Sequence, residues 1–184
     1  MWRLFAITIV SLLPSACTPQ LFPPGTLKDV DQKFDFTSWR RVPSSVQNNH
    51  KVQLGGRIVT AHSKDETLTF VAAHLPIVQH PAYGPKETRK SHDVFAIVYH
   101  GKLDPLFLQP GNRLIVVGYT GPSILVEVDD VLRSLPAITA QCIHIWQTGN
   151  SDIADFHASG AGHVVLKEDT YCGDESPWSP LGIF

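Results

Sequence analysis

The sequence predicts an all-β fold: a small antiparallel barrel of about six strands with an irregular C-terminal tail. Three observations carry this. Apolar residues recur in runs of strand length, some alternating with polar residues and some continuous. Clusters of Gly, Pro, Asn and Ser punctuate those runs at turn spacing. The 184-residue chain holds 14 prolines and 13 glycines, with few strong helix formers between them.

The elements follow in order. Arg3 supplies a positive start, and Leu4–Leu13 (LFAITIVSLL) is a short apolar run. At 1.5 Å per residue it spans about 15 Å, half of a ~30 Å hydrocarbon core. That length suits a signal peptide over residues 1–16 rather than a membrane span. Ser15 and Ala16 are small and precede Cys17, which resembles the lipobox of bacterial lipoproteins. There a lipid is attached to the cysteine thiol and the chain is cut just before it. Pro14 stands where the usual pattern has an aliphatic residue, and Leu13 is one step earlier. An ordinary signal-peptidase site fits worse, because Pro14 is not a small residue.

Residues 17–35 carry three prolines and little periodicity, the composition of a tether between lipid and domain. Thr37–Arg41 suggest one helical turn capped by Thr37 or Ser38. The domain proper is expected over 36–148. Val52, Leu54, Gly56 and Ile58 alternate with Gln53, Gly55, Arg57 and Val59, and the Gly55–Gly56 pair suggests a bulge or bend. Leu68, Phe70 and Ala72 alternate with Thr67, Thr69 and Val71. A loop rich in His, Pro, Gly and Lys follows from about Gln79 to Ser91. Val94–Tyr99 and "LIVVGY" (Leu114–Tyr119) are apolar on both faces, so both are expected to be buried. "QPGNR" (Gln109–Arg113) and "TGPS" (Thr120–Ser123) have turn chemistry. "ILVEV" and Ile138–Trp146 complete the strands. The bent first strand and long meander resemble the OB-fold. Residues 149–184 are rich in Gly, Ser, Asp and Pro and suggest a tail, with one added strand near His163–Leu166.

In order along the chain stand "VQLGGRIV" (Val52–Val59), "TLTF" (Thr67–Phe70), "LDP" (Leu103–Pro105), "PGNRLIVVGYTG" (Pro110–Gly121), Pro136 and "IHIW" (Ile143–Trp146). With Cys17 ahead of it, this set resembles the Slp family of starvation-inducible outer-membrane lipoproteins. Where related proteins show a Gly-Arg pair before the third strand's phenylalanine, this chain has "SHDVF". The resemblance implies an outer-membrane location, a domain facing the periplasm and a stress-linked envelope role. Thr18 after the cysteine favours outer-membrane sorting by the same resemblance. The family lends no catalytic residues.

The chemistry-bearing residues point the same way. The net charge is −2, which disfavours nucleic acid and anionic lipid headgroups as partners on charge alone. Nine histidines invite a metal, with His74, His80 and His92 around one loop and His157 and His163 in the tail. None has zinc-ligand spacing, so no metal and no cofactor is expected. The histidines could instead sense acid, since their ordinary pKa is about 6.5. Asp104 and the Glu127, Asp129, Asp130 cluster fit no EF-hand and suit solvated turns. "SGAGH" (Ser159–His163) lacks the Lys-Ser/Thr of a P-loop. Gly118 and Gly121, like Gly55 and Gly56, suit backbone geometry. Trp146 suits a core or rim anchor. No nucleophile elbow occurs.

Two cysteines remain once Cys17 carries lipid. In an oxidising periplasm an even pair favours a Cys142–Cys172 bridge. The alternative is a buried Cys142 and an exposed Cys172 thiol. The functional expectation is a non-enzymatic lipoprotein held to the membrane through Cys17, with an envelope protein as an open partner. The competing classes are a periplasmic module binding a small ligand, glycan or protein on its barrel face, and a hydrolase.

Overall fold

The computed structural model describes residues 20–41, 49–64, 67–87, 93–158 and 165–173, with Lys64, His157 and Ala158 as backbone. Cys17 and the signal segment lie outside the described residues, as do His92 and Ser159–His163. The elements are α1 (Phe36–Arg41), β1 (Lys51–Lys64), β2 (Thr67–Leu75), β3 (Ile77–Val78), β4 (Gly84–Pro85), β5 (Val94–His100), a 3-10 turn (Pro105–Leu108), β6 (Arg113–Val128), β7 (Val131–Trp146), α2 (Ile153–Ala158) and β8 (Glu168–Cys172).

The main sheet has six strands in the order β5-β2-β1-β6-β7-β8, with neighbours antiparallel. β7 also pairs in parallel with β5, Ala137–Thr139 against Ala96–Val98. Hydrogen bonding therefore runs as a ring through β1, β2, β5, β7 and β6. β8 lies outside that ring, on the later half of β7.

The apolar pattern explains why the ring holds. Phe70, Phe95, Ile97, Leu114, Val116, Ile143 and Ile145 fill its interior, and Phe36 and Trp39 of α1 pack with them. The alternate residues of β6 and β7, Ile115, Val117, Cys142 and Trp146, face outward and are buried under Phe22 and Ile153. Both faces of this pair are thus covered, which is what the continuous run "LIVVGY" requires. A third cluster buries Val71 and Ala96 against Val126, Val128 and Leu135 of the long β6–β7 hairpin.

Several boundaries differ from the sequence expectations. "TGPS" does not turn. β6 runs through it with a register shift between Gly121 and Ile124, a bulge that accommodates Pro122, which has no N–H for the ladder. The true reversal is Asp129–Asp130, both at positive φ (52° and 60°), as a two-residue hairpin turn requires. Gly55 and Gly56 are not bulged. Both keep regular pairing with β2 and β6, and the β1–β2 shift lies between Ile58 and Thr60. Their role is close packing: a Cβ on Gly55 would stand 2.7 Å from the Leu75 carbonyl oxygen. The cap of α1 is Asp35 rather than Thr37 or Ser38. Its carboxylate accepts from the Thr37 amide at 3.0 Å and the Ser38 hydroxyl at 2.6 Å. These bonds hold the Asp35 carboxyl below its ordinary value.

The expected tether and tail are both packed where they are described. Phe22 and Thr26 are buried, and the Asp31 amide bonds the Lys51 carbonyl at 2.8 Å. In the C-terminal part, Ile153 is buried and the added strand is Glu168–Cys172, just after the stretch expected to form it. Cys142 and Cys172 are register partners with Cα atoms 4.1 Å apart, and their sulfurs are joined.

Candidate functional site

The N-terminal segment, the end of β7 and β8 converge on the outer face of the sheet. Successive strand residues alternate faces, so Cys142, His144 and Trp146 share one. Their partners on β8 are Cys172, Thr170 and Glu168. His144 is 3% exposed, packed edge-on against Trp146 (4.2 Å between ring centres) and Phe22 (6.4 Å). Its Nδ1 lies 2.7 Å from the Thr170 hydroxyl, which donates to the Leu21 carbonyl at 2.8 Å. A hydroxyl has one proton, so Nδ1 carries the hydrogen in this arrangement. The chain of bonds runs from β7 through β8 to the N-terminal segment. It orients Thr170 as a donor to backbone, the opposite of a hydroxyl activated by a histidine base.

The other ring nitrogen, Nε2, faces a Glu168 carboxylate oxygen at 3.5 Å, too long for a good hydrogen bond. Burial pushes the His144 pKa below its ordinary value, and Glu168 and Asp169 oppose this without reversing it. His74 shows the same balance. Its ring stacks on Phe36 at 4.0 Å, burial lowers its pKa, and Asp93 opposes. Both rings therefore resist protonation in the folded chain more than in the unfolded one. Stability is fully present above the unfolded histidine value of about 6.5 and is lost as pH falls through the folded values. A melting temperature that drops between about pH 7.5 and 5 is the expected result. A flat profile over that range would contradict it.

A second polar cluster anchors the corner before β6. Arg113 is buried, its Nε donating to the Ser151 carbonyl (3.1 Å) and its Nη1 to the Pro85 carbonyl (3.2 Å). Asp152 lies 3.9 Å from its Nη2. The Asn112 amide bonds the Phe107 carbonyl at 3.2 Å and accepts from the Gly149 amide at 3.0 Å. Gly111 has φ +93°, and a Cβ there would meet the Gly149 carbonyl oxygen at 2.6 Å. "PGNR" is thus a structural staple between β6 and the 148–152 loop. Sequence reasoning saw its turn chemistry and missed its partners, because they lie 37 and 38 residues away.

The remaining candidates separate. Asp104 caps the 3-10 turn by accepting from the Leu106 amide at 2.9 Å. Glu127, Asp129 and Asp130 sit at the tip of the β6–β7 hairpin, and the outer face of that hairpin exposes Leu125 and Leu132. Among the described residues, no group of three or more His, Cys, Asp or Glu side chains could hold a metal ion. No helix of the described residues is long and apolar enough to cross a membrane. A groove of about 300 Å³ opens between the Gln20–Gly25 turn, Leu27 and Tyr83.

A ring-like β-sheet domain whose N-terminal segment is strapped across its outer face defines the architecture. The model of the outer membrane lipoprotein Slp family matches residues 15–178. The chain belongs to that family. No curated protein and no solved structure matches it significantly.

Proposed function

We propose that the protein is anchored to the outer membrane by lipid on Cys17, with its domain in the periplasm and a non-enzymatic, stress-linked role in the envelope. Membership of an outer membrane lipoprotein family supports the location. The observation that carries the anchor is the place of Cys17. It stands four residues after Leu13, the end of the short apolar run, behind the small pair Ser15–Ala16, and three residues before Gln20, where the described strap begins. A diacylglyceryl cysteine with a further N-acyl chain exceeds the two-chain requirement for stable anchoring. The strap carries that anchorage into the fold through Leu21, Phe22 and Thr170. The five-stranded ring, antiparallel except where β5 meets β7, supports an OB-like reading of the domain.

Intact mass spectrometry of the protein purified from membranes tests this. The expected species begins at Cys17 and carries three acyl chains. A mass equal to the unmodified polypeptide would overturn the proposal.

The second reading is a binding module. Leu125 (73% exposed) and Leu132 (69%) on the outer face of the β6–β7 hairpin favour it, as a contact for a protein partner.

A further inference from the structure

We propose that the turn from Leu21 to Leu27 is a second membrane contact, an apolar ledge that rests on the phospholipid surface beside the anchor. The proposal rests on the lipid at Cys17 argued above. Three residues lead from Cys17 to Gln20 and reach at most about 10 Å when fully extended. A headgroup layer is itself roughly 5–8 Å deep, half the difference between the full bilayer and its hydrocarbon core. The face that begins at Gln20 is therefore held at the lipid surface whatever the rest of the domain does.

What that face presents suits the place. No charged residue occurs from Leu21 to Leu27, and Pro23, Pro24, Gly25 and Leu27 are exposed. Leu27 is 47% exposed and adds an aliphatic side chain to the two prolines on that face. Tyr83 lines the same groove, with the apolar ring and polar tip that favour a membrane interface. The ledge is also stiff. Phe22 and Thr26 are buried beneath it, and Thr170 holds the Leu21 carbonyl. An anchored chain would thus be oriented rather than merely tethered. Lys28 at the rim is offset by Asp29 and Asp31, so the attraction is apolar rather than electrostatic. The β6–β7 hairpin tip lies farther along β6 than Ile115 and Val117, with which Phe22 of the ledge packs, and folds onto Val71 and Ala96 of β2 and β5. The ledge and the hairpin therefore cover different parts of the sheet.

The test is hydrogen exchange on the full lipidated protein in phosphatidylethanolamine–phosphatidylglycerol vesicles, against soluble Cys17→Ser protein of residues 17–184, which lacks the signal segment. The amides of Leu21, Phe22, Gly25, Thr26 and Leu27 should exchange at least tenfold more slowly on vesicles, at low and at high salt, with β1 and β2 unchanged. Leu27→Glu should stay vesicle-bound and keep its melting temperature, yet lose that slowing. Unchanged exchange in vesicle-bound protein would overturn the ledge and leave the anchor standing. Slowing at the hairpin tip instead would also overturn it. Protein that fails to float with vesicles would overturn the anchor and the ledge together.

Discussion

Cys172→Ser is expected to lower the free energy of unfolding by roughly 3–4 kcal/mol, the chain-entropy value for a bond closing 30 residues. The site makes the loss local as well as global. Cys142 is buried on the outer face of β7, where Phe22 and Ile153 pack around it. β8 meets the sheet along one edge only, from Glu168 to Cys172. Without the bond, Thr170 loses its fixed place between His144 and the Leu21 carbonyl, and the strap loosens with it. Urea denaturation of the oxidised wild type and the variant measures the difference. Equal midpoints would contradict the account. Alkylation without reductant should add no alkyl group at Cys142 or Cys172 of periplasmic protein, whereas two would mean that no bond forms.

Gly118→Val is expected to cost about 3 kcal/mol, the upper end of overpacking penalties. Gly118 lies at the register shift between β6 and β7. A Cβ there would run into the Thr139 carbonyl oxygen, with Ala140 Cα and Ile138 Cγ2 each 2.9 Å away. Two of these three atoms are backbone, so relief requires the strands to part. Gly121, three residues on, is the internal control, because its nearest obstacle is the Ala137 carbonyl oxygen at 3.9 Å. Gly121→Val should leave the denaturation midpoint much closer to wild type. Equal losses at both positions would show that the close approach at Gly118 is not what the glycine serves.

How much of this was legible depended on whether the signal was local. "LIVVGY" and Val94–Tyr99 are apolar on both faces, and both strands are buried as that pattern requires. The Asp129–Asp130 turn was legible in the same way, since short polar residues tolerate positive φ. "TGPS" misled because Pro and Gly mark bulges as well as turns, and only the pairing of Ile124–Val128 with Val131–Leu135 decides which. The strap was hidden because Phe22 and Thr26 are isolated buried residues within a proline-rich run. Isolated apolar side chains have no period, and what they pack on comes from distant sequence. The same holds for His144. Its neighbours in the chain announce a strand, while the groups that set its chemistry arrive from β8 and from Leu21. The Cys142–Cys172 pairing followed from the compartment implied by Cys17, not from any spacing rule.

In the proposed arrangement, the strap gives a lipid at Cys17 its mechanical meaning. Force on a lipid at Cys17 would pass into Leu21 and Phe22, and from there to β7 and β8, rather than into a slack linker.

The most direct measurement is fractionation of cells expressing wild type and Cys17→Ala. The account predicts that wild type pellets with the outer membrane, while Cys17→Ala is recovered in the soluble periplasmic fraction or held in the inner membrane by its uncut signal segment. Equal recovery of both proteins in the outer-membrane pellet would contradict the lipid anchor at Cys17.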